Sequence, residues 1–239
     1  MAATNTKNTQ RRETARSPLH PEEHGLQGSV NKAEVFYQKN AKVINIVGMI
    51  IILAIGGYYG YKNLYQKPRE KRAVAMVFKA QQYFERDSFR LALQGDGNNY
   101  GYLQVIDRYG NTRVGQQAYY SAGVCYVHMG QFQKGIDYLG KFHADDKIVQ
   151  AMAYGLMGDA YMELGNPAQG IAYYRKAAAY NDNNVISPLY LMRAGLASEE
   201  AGKTGDAITL FKQIKSKYPL SAEGRNIDKY LARLGVVTQ

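Results

Sequence analysis

Tryptophan is absent from the chain and cysteine occurs once, at Cys125. A lone cysteine excludes an intrachain disulfide and leaves the redox compartment open. Cys125 falls beside Tyr126 in a helical pattern and reads as a small buried residue rather than a nucleophile. Histidine is also scarce, and only His128 and His143 lie in the patterned part of the chain. Neither comes with the serine or cysteine arrangement that would supply a nucleophile and its base. Cys125 and His128 share one helix, but repeat packing turns Cys125 inward. No glycine-rich phosphate loop is present. The run from His20 to His24 holds two His and two Glu. It lacks the His-Glu-x-x-His spacing and any fold to fix ligands. The expectation is therefore a non-enzyme with no catalytic residues, cofactor or metal.

Acidic residues are outnumbered, and the formal net charge is +10. Where the excess sits decides what it means. Residues 1–42 hold seven Lys/Arg against four Asp/Glu, Lys62 adds one, and residues 63–90 hold seven against three. Residues 91–239 hold fifteen against thirteen. The excess flanks one apolar segment instead of forming a stripe on the folded part. That distribution suits anionic lipid headgroups better than a nucleic-acid backbone.

The apolar segment, residues 43–61, carries no charge over nineteen residues. At about 1.5 Å rise per residue such a helix spans roughly 28 Å, close to a bilayer's hydrocarbon thickness. Asn45 is its one strongly polar side chain. Phe36 and Tyr37 precede it, and Tyr58, Tyr59, Tyr61 and Tyr65 cluster at its far end, as suits the headgroup level. A cleaved signal peptide would need an n-region of some forty residues, and no small-x-small site comes after it. We read residues 32–67 as an uncleaved anchor. Gly48, Gly56 and Gly60 share one face of this helix, with Gly56 and Gly60 at GxxxG spacing, and are the candidates for transmembrane packing. Residues 1–31 read as a disordered tail, being polar and without apolar periodicity.

The rest of the chain is repetitive. Ala122-Gly123-Val124-Cys125-Tyr126, Met129-Gly130 and Gly135-Ile136 form a first line. Gly158-Asp159-Ala160-Tyr161, Leu164-Gly165 and Gly170-Ile171 form a second, and Ala194-Gly195-Leu196, Ala201-Gly202 and Ala207-Ile208 a third. The glycines at 123, 158 and 195 recur at spacings of 35 and 37. A period near 34 with this order is the tetratricopeptide pattern of two antiparallel helices per repeat. Residues 113–219 are expected to form three such repeats. Residues 69–112 read as a degenerate leading repeat, with Gly101 falling 34 before Gly135. Asn166-Pro167 and Ser187-Pro188 each offer a capping residue before a proline at a helix start. Pro68 is expected to break the membrane helix from the leading repeat. Residues 220–239 close the stack, with Ile227, Tyr230, Leu231 and Leu234 on one helix face. The fold class is all-α: a single N-terminal transmembrane helix, then a tetratricopeptide superhelix with a C-terminal capping helix.

In such a superhelix the first helix of each repeat lines the concave surface. By register the inward positions are Gln117, Tyr120, Val124, Val127 and His128, then Met152, Gly155, Asp159, Met162 and Glu163. The third repeat supplies Leu189, Met192, Leu196, Glu199 and Glu200. This is an apolar, methionine-rich groove with acidic residues toward one end, suited to varied peptide segments. For Val124 and Leu196, burial against neighbouring helices is an equal alternative. Repeat domains that grip a chaperone's terminal carboxylate place Lys, Asn and Arg on these positions, and this chain does not.

The anchor, the Tyr109-Gly110-Asn111-Thr112 turn, the stretch from Tyr119 to Tyr126, that from Gly158 to Gly165, and Pro188-Leu189-Tyr190-Leu191 together resemble the YfgM-like family of bacterial inner-membrane proteins. The resemblance runs from about Asn40 to Leu234. It implies a repeat domain in the periplasm, association with the SecYEG translocon, and cooperation with a periplasmic chaperone of the PpiD type or with emerging, unfolded polypeptide. The charges point differently. Lys62, Lys67, Arg69, Lys71, Arg72 and Lys79 outweigh Lys32, Lys39 and Lys42 across the anchor. The positive-inside rule, applied locally, would place the repeats in the cytoplasm as a scaffold for a soluble partner.

Overall fold

The computed structural model describes residues 21–236, with side chains from Glu34 onward. Two compact units divide it, residues 1–60 and residues 61–239. Every regular element among the described residues is helical.

The first unit holds one helix, α1 (Pro21–Gly60). Nearly all of its large apolar side chains are exposed, from 48% at Val47 to 71% at Ile52. A helix that is apolar on every face needs a non-aqueous surround. This stretch is long and apolar enough to cross a membrane. Tyr37 donates a hydrogen bond of 3.2 Å to Asn45 Oδ1, so the side-chain carbonyl of the run's one strongly polar residue has a partner within the helix. The helix begins well before residue 32, where the tail was expected to give way to the anchor. Pro21 suits a first helical position. Residues 1–20, with the rest of the expected tail and His20, lie outside the described residues.

The second unit opens with a π-helical turn (Tyr61–Gln66) and α2 (Lys67–Phe84). Pro68 does not break the helical path as expected. It sits in the first turn of α2, directly after the π-helical turn. Next come α3 (Phe89–Gln94), a short helix the periodicity did not reveal, and α4 (Tyr102–Tyr109). The three repeats are α5 (Arg113–His128) with α6 (Phe132–Lys141), α7 (Lys147–Glu163) with α8 (Pro167–Tyr180), and α9 (Ile186–Glu200) with α10 (Thr204–Lys217).

Each repeat turns in the same way. Gly130, Gly165 and Gly202 have φ of 69°, 69° and 73°, a left-handed conformation that favours glycine. In each, the glycine N–H and the next N–H return to carbonyls of the helix just ended, as with Gly130 to Val127 and Gln131 to Tyr126. Each repeat is also closed by a glycine where the paired helices touch. A Cβ at Gly123 would lie 2.6 Å from Leu139, at Gly158 2.6 Å from Tyr174, and at Gly195 2.3 Å from Phe211.

Helix starts are capped locally. Thr112 accepts from the Gly115 amide and Asn166 from that of Gln169, while Asp146 accepts from Ile148 and Val149. Ser187 does not cap as expected. It is fully buried and donates to the Ala178 carbonyl, while Asn183 Oδ1 accepts from the Val185 and Ile186 amides. The core runs as three successive clusters, centred on Leu93 and Cys125, on Leu139 and Met157, and on Phe211 and Leu231. Helices pack mainly on their sequence neighbours, as stacking predicts. A 3-10 turn (Gly224–Asn226) and α11 (Ile227–Arg233) end the stack, with Ile227 and Leu231 buried against it.

Candidate functional site

A cleft of about 670 Å³ opens at the leading end of the array. Its apolar floor comes from Val77 and Phe84 of α2, Tyr102 of α4, Tyr120 of α5, Phe142 and Val149. Tyr120 packs at a tilt on Phe142 with ring centroids 5.2 Å apart, and burial pushes its phenol pKa up. Burial likewise pushes the Tyr102 phenol up to about 12. Gln117 is exposed at the rim.

The far rim, residues 142–146, is irregular yet pinned. Gln116 accepts from the His143 amide at 2.9 Å and donates to the Gly110 carbonyl at 2.7 Å. Gln150, itself buried, accepts from the Ala144 amide at 2.9 Å. Asp145 and Asp146 on this rim, with Glu85 at the end of α2, give the cleft mouth an acidic balance, answered by Arg113, which pairs with Asp145 at 3.2 Å in full solvent. A preformed apolar cleft with a few fixed polar groups suits a side-chain-bearing segment of another polypeptide.

The other groove positions behave differently. Val124 is buried. Val127 lies over Gly135, and His128 stacks on Phe89 with centroids 4.6 Å apart instead of lining the cleft. Met152 is 40% exposed and Glu163 is exposed. The ring of Tyr190 covers Gly155, and Met162 covers Gly170. Asp159 is engaged twice, accepting from Tyr174 at 2.6 Å and from Arg193 at 2.7 Å. Leu189 rests half-buried on the trailing core, while Leu196 and Glu200 are exposed. Glu199 accepts from Arg233 of the closing helix at 2.6 Å. Met192 is only 9% exposed and belongs to the trailing core, so its place in an open groove is corrected. In α1, a Cβ at Gly48, Gly56 or Gly60 would meet nothing within 4 Å.

The register missed the walls of the cleft that do not belong to first helices. One signal was present. Ile136, Leu139 and Phe142 continue a step of three past the end of α6, which marks Phe142 as buried. The thiol of Cys125 is buried in the leading core, and burial pushes its pKa up to about 12, so it is protonated at neutral pH.

Two tetratricopeptide repeat family models match the chain, over residues 117–146 and 156–222. No protein of curated function matches it. Among solved structures, one of MamA aligns with a TM-score of 0.49 and 18% identity over 68% of this chain and 87% of that one. Two structures of nearly identical TPR-like repeats related to kinesin light chain, from Podosopora anserina, align with a TM-score of 0.50 over 68% of this chain. Their identities are 14% and 13%, with 84% and 85% of those chains covered, so the likeness is one of fold. With the three glycine-closed helix pairs, the family matches make the second unit an all-α tetratricopeptide-repeat array, a fold of protein–protein interaction.

Proposed function

We propose that the protein is a non-enzymatic adaptor, tethered to a membrane by α1, whose leading cleft captures a segment of another polypeptide. The observation that carries this reading is the cleft itself, apolar at its floor, acidic at its rim and held open by Gln116 and Gln150. The exposed apolar surface of α1 supports the tether. The resemblance to YfgM-like proteins supplies the finer reading. The array then stands in the periplasm of a bacterial inner membrane beside the SecYEG translocon, and the captured segment belongs to a PpiD-type chaperone or to an emerging polypeptide.

The charge distribution favours a second reading, a cytoplasm-facing scaffold, because the cations from Lys62 to Lys79 outweigh those before the anchor. A reporter active only in the periplasm, fused after Gln239, separates the two. Activity is expected, and silence of the periplasmic reporter together with activity of a cytoplasmic one would sink the translocon reading. A photo-reactive side chain at Gln117 is expected to crosslink a partner polypeptide, identified after gentle detergent extraction, and one at Lys176 is not.

A further inference from the structure

A second, smaller pocket of about 310 Å³ lies where the repeat unit begins. Lys62, Lys67, Arg69 and Arg113 line it against one carboxylate, Glu70. That carboxylate is already engaged. Its oxygens accept from the Arg113 and Val114 amides at 3.0 and 2.9 Å, capping α5 from outside the helix.

Arg69 is held by neutral groups. It donates to Tyr65 Oη, the Arg108 carbonyl and Asn111 Oδ1, and its guanidinium lies over the Tyr65 and Tyr109 rings. Its Nε is buried with no hydrogen-bond partner. Among the described residues no ion pair includes Arg69 or Lys67. A partly buried guanidinium with an unsatisfied donor and no carboxylate favours an incoming anion.

The place of the pocket in the chain selects the kind of anion. Lys62 is the first charge after the charge-free residues 43–61. Tyr61 and Tyr65 stack beside it with centroids 5.3 Å apart, and tyrosine pairs of this kind settle at the headgroup level. We propose that this pocket seats the phosphate of an anionic lipid headgroup, with Lys62 and Lys67 around the phosphate oxygens and Arg69 beneath them, while the Arg113 guanidinium stays with Asp145. This rests on the reading of α1 as a membrane tether. The repeat unit is then held against the bilayer surface at its first turn as well as through the helix.

The test uses the full chain. Flotation with phosphatidylcholine vesicles through an alkaline wash first checks the tether alone. The protein is then placed in bilayer discs of equal phosphatidylcholine and phosphatidylglycerol, and the lipids retained on release are weighed by native mass spectrometry. Retained lipid is expected to be enriched in phosphatidylglycerol. Lys67→Ala should lower that enrichment about fivefold, and Lys62→Gln with Lys67→Ala should return it to the bulk ratio. Lys71→Ala with Arg72→Ala removes the same charge from exposed positions outside the pocket and should leave the enrichment intact. An equal loss in that comparator would overturn the site in favour of a diffuse field. Loss of enrichment on adding inorganic phosphate would overturn it in favour of a soluble anion. Failure to float on neutral vesicles would strike the tether reading instead.

Discussion

The two ends of the repeat array put the same register to different uses. At the leading end, Gln117 and Tyr120 border an open cleft. At the trailing end, Met192 is buried, and Glu199 is tied to the closing helix through Arg233. Between them Asp159 is held by Arg193 and Tyr174. A register position says which way a side chain points. Whether it is free to bind depends on what the next element brings against it. The leading end stays open because α2, α4 and the pinned rim at residues 142–146 stand apart around Tyr120. The trailing end is closed by α10 and α11.

The largest expected effects belong to the closed end. Phe211 fills the space that Gly195 leaves, and Phe211→Ala should cost about 4 kcal/mol. Met192→Ala should cost about 2 kcal/mol and leave segment capture intact. Thermal unfolding monitored by circular dichroism reads both. If Met192→Ala left the melting point unchanged and weakened capture, the distinction between the two ends would fail.

At the open end the balance reverses. Gln117→Ala with Tyr120→Ala should weaken capture about thirtyfold, the scale of an interface hot spot. The loss of folding stability should be about 2 kcal/mol, below that of Phe211→Ala, since Tyr120 is only partly buried where it packs on the middle core beside Phe142. Titration of the crosslinked partner against both variants measures the first, and the same melts measure the second. Unchanged affinity would move the binding surface away from the cleft.

These contrasts explain what the sequence could show. The repeats were legible because their markers are local. A left-handed turn needs glycine at 130, 165 and 202, and close helix pairs need it at 123, 158 and 195. The extra helix α3 was hidden because six residues carry too little periodicity. Ser187 looked like a cap because it precedes Pro188, yet its hydroxyl serves the Ala178 carbonyl of the preceding helix. Only one helix of each pair could be placed on the groove from register. The walls from α2 and residues 142–146 come from tertiary placement, as does the arrival of Arg193 at Asp159 from 34 residues away.

The Asp159 contact can be weighed directly. Its ion pair with Arg193 is partly exposed, with side chains 33% and 43% accessible, so screening limits its worth. A double-mutant cycle of Asp159→Asn with Arg193→Met should give a coupling of about 0.5–1 kcal/mol in stability. A coupling near zero would return Asp159 to the groove as an acidic group open to a partner.

The smallest effect concerns two tyrosine–aspartate bonds, one at each end. Tyr83 donates to Asp96 in the leading repeat, and Tyr218 donates to Asp182 in the trailing one. The Tyr83 hydroxyl, with the Asn99 side chain and amide, holds the Asp96 carboxyl well below the usual carboxylate range. The folded form therefore binds its proton less readily than the unfolded chain. Its contribution to stability is present above the unfolded value of about 3.9 and is lost as pH falls through the folded one. Asp96→Asn should accordingly differ from the parent chain at neutral pH, and the difference should shrink in acid. Hydrogen exchange of the Asn98 and Asn99 amides, both of which donate to Asp96, reads this locally. A gap that stayed constant down to the acid limb would mean that hydrogen bonding, and not the charge of Asp96, holds that loop.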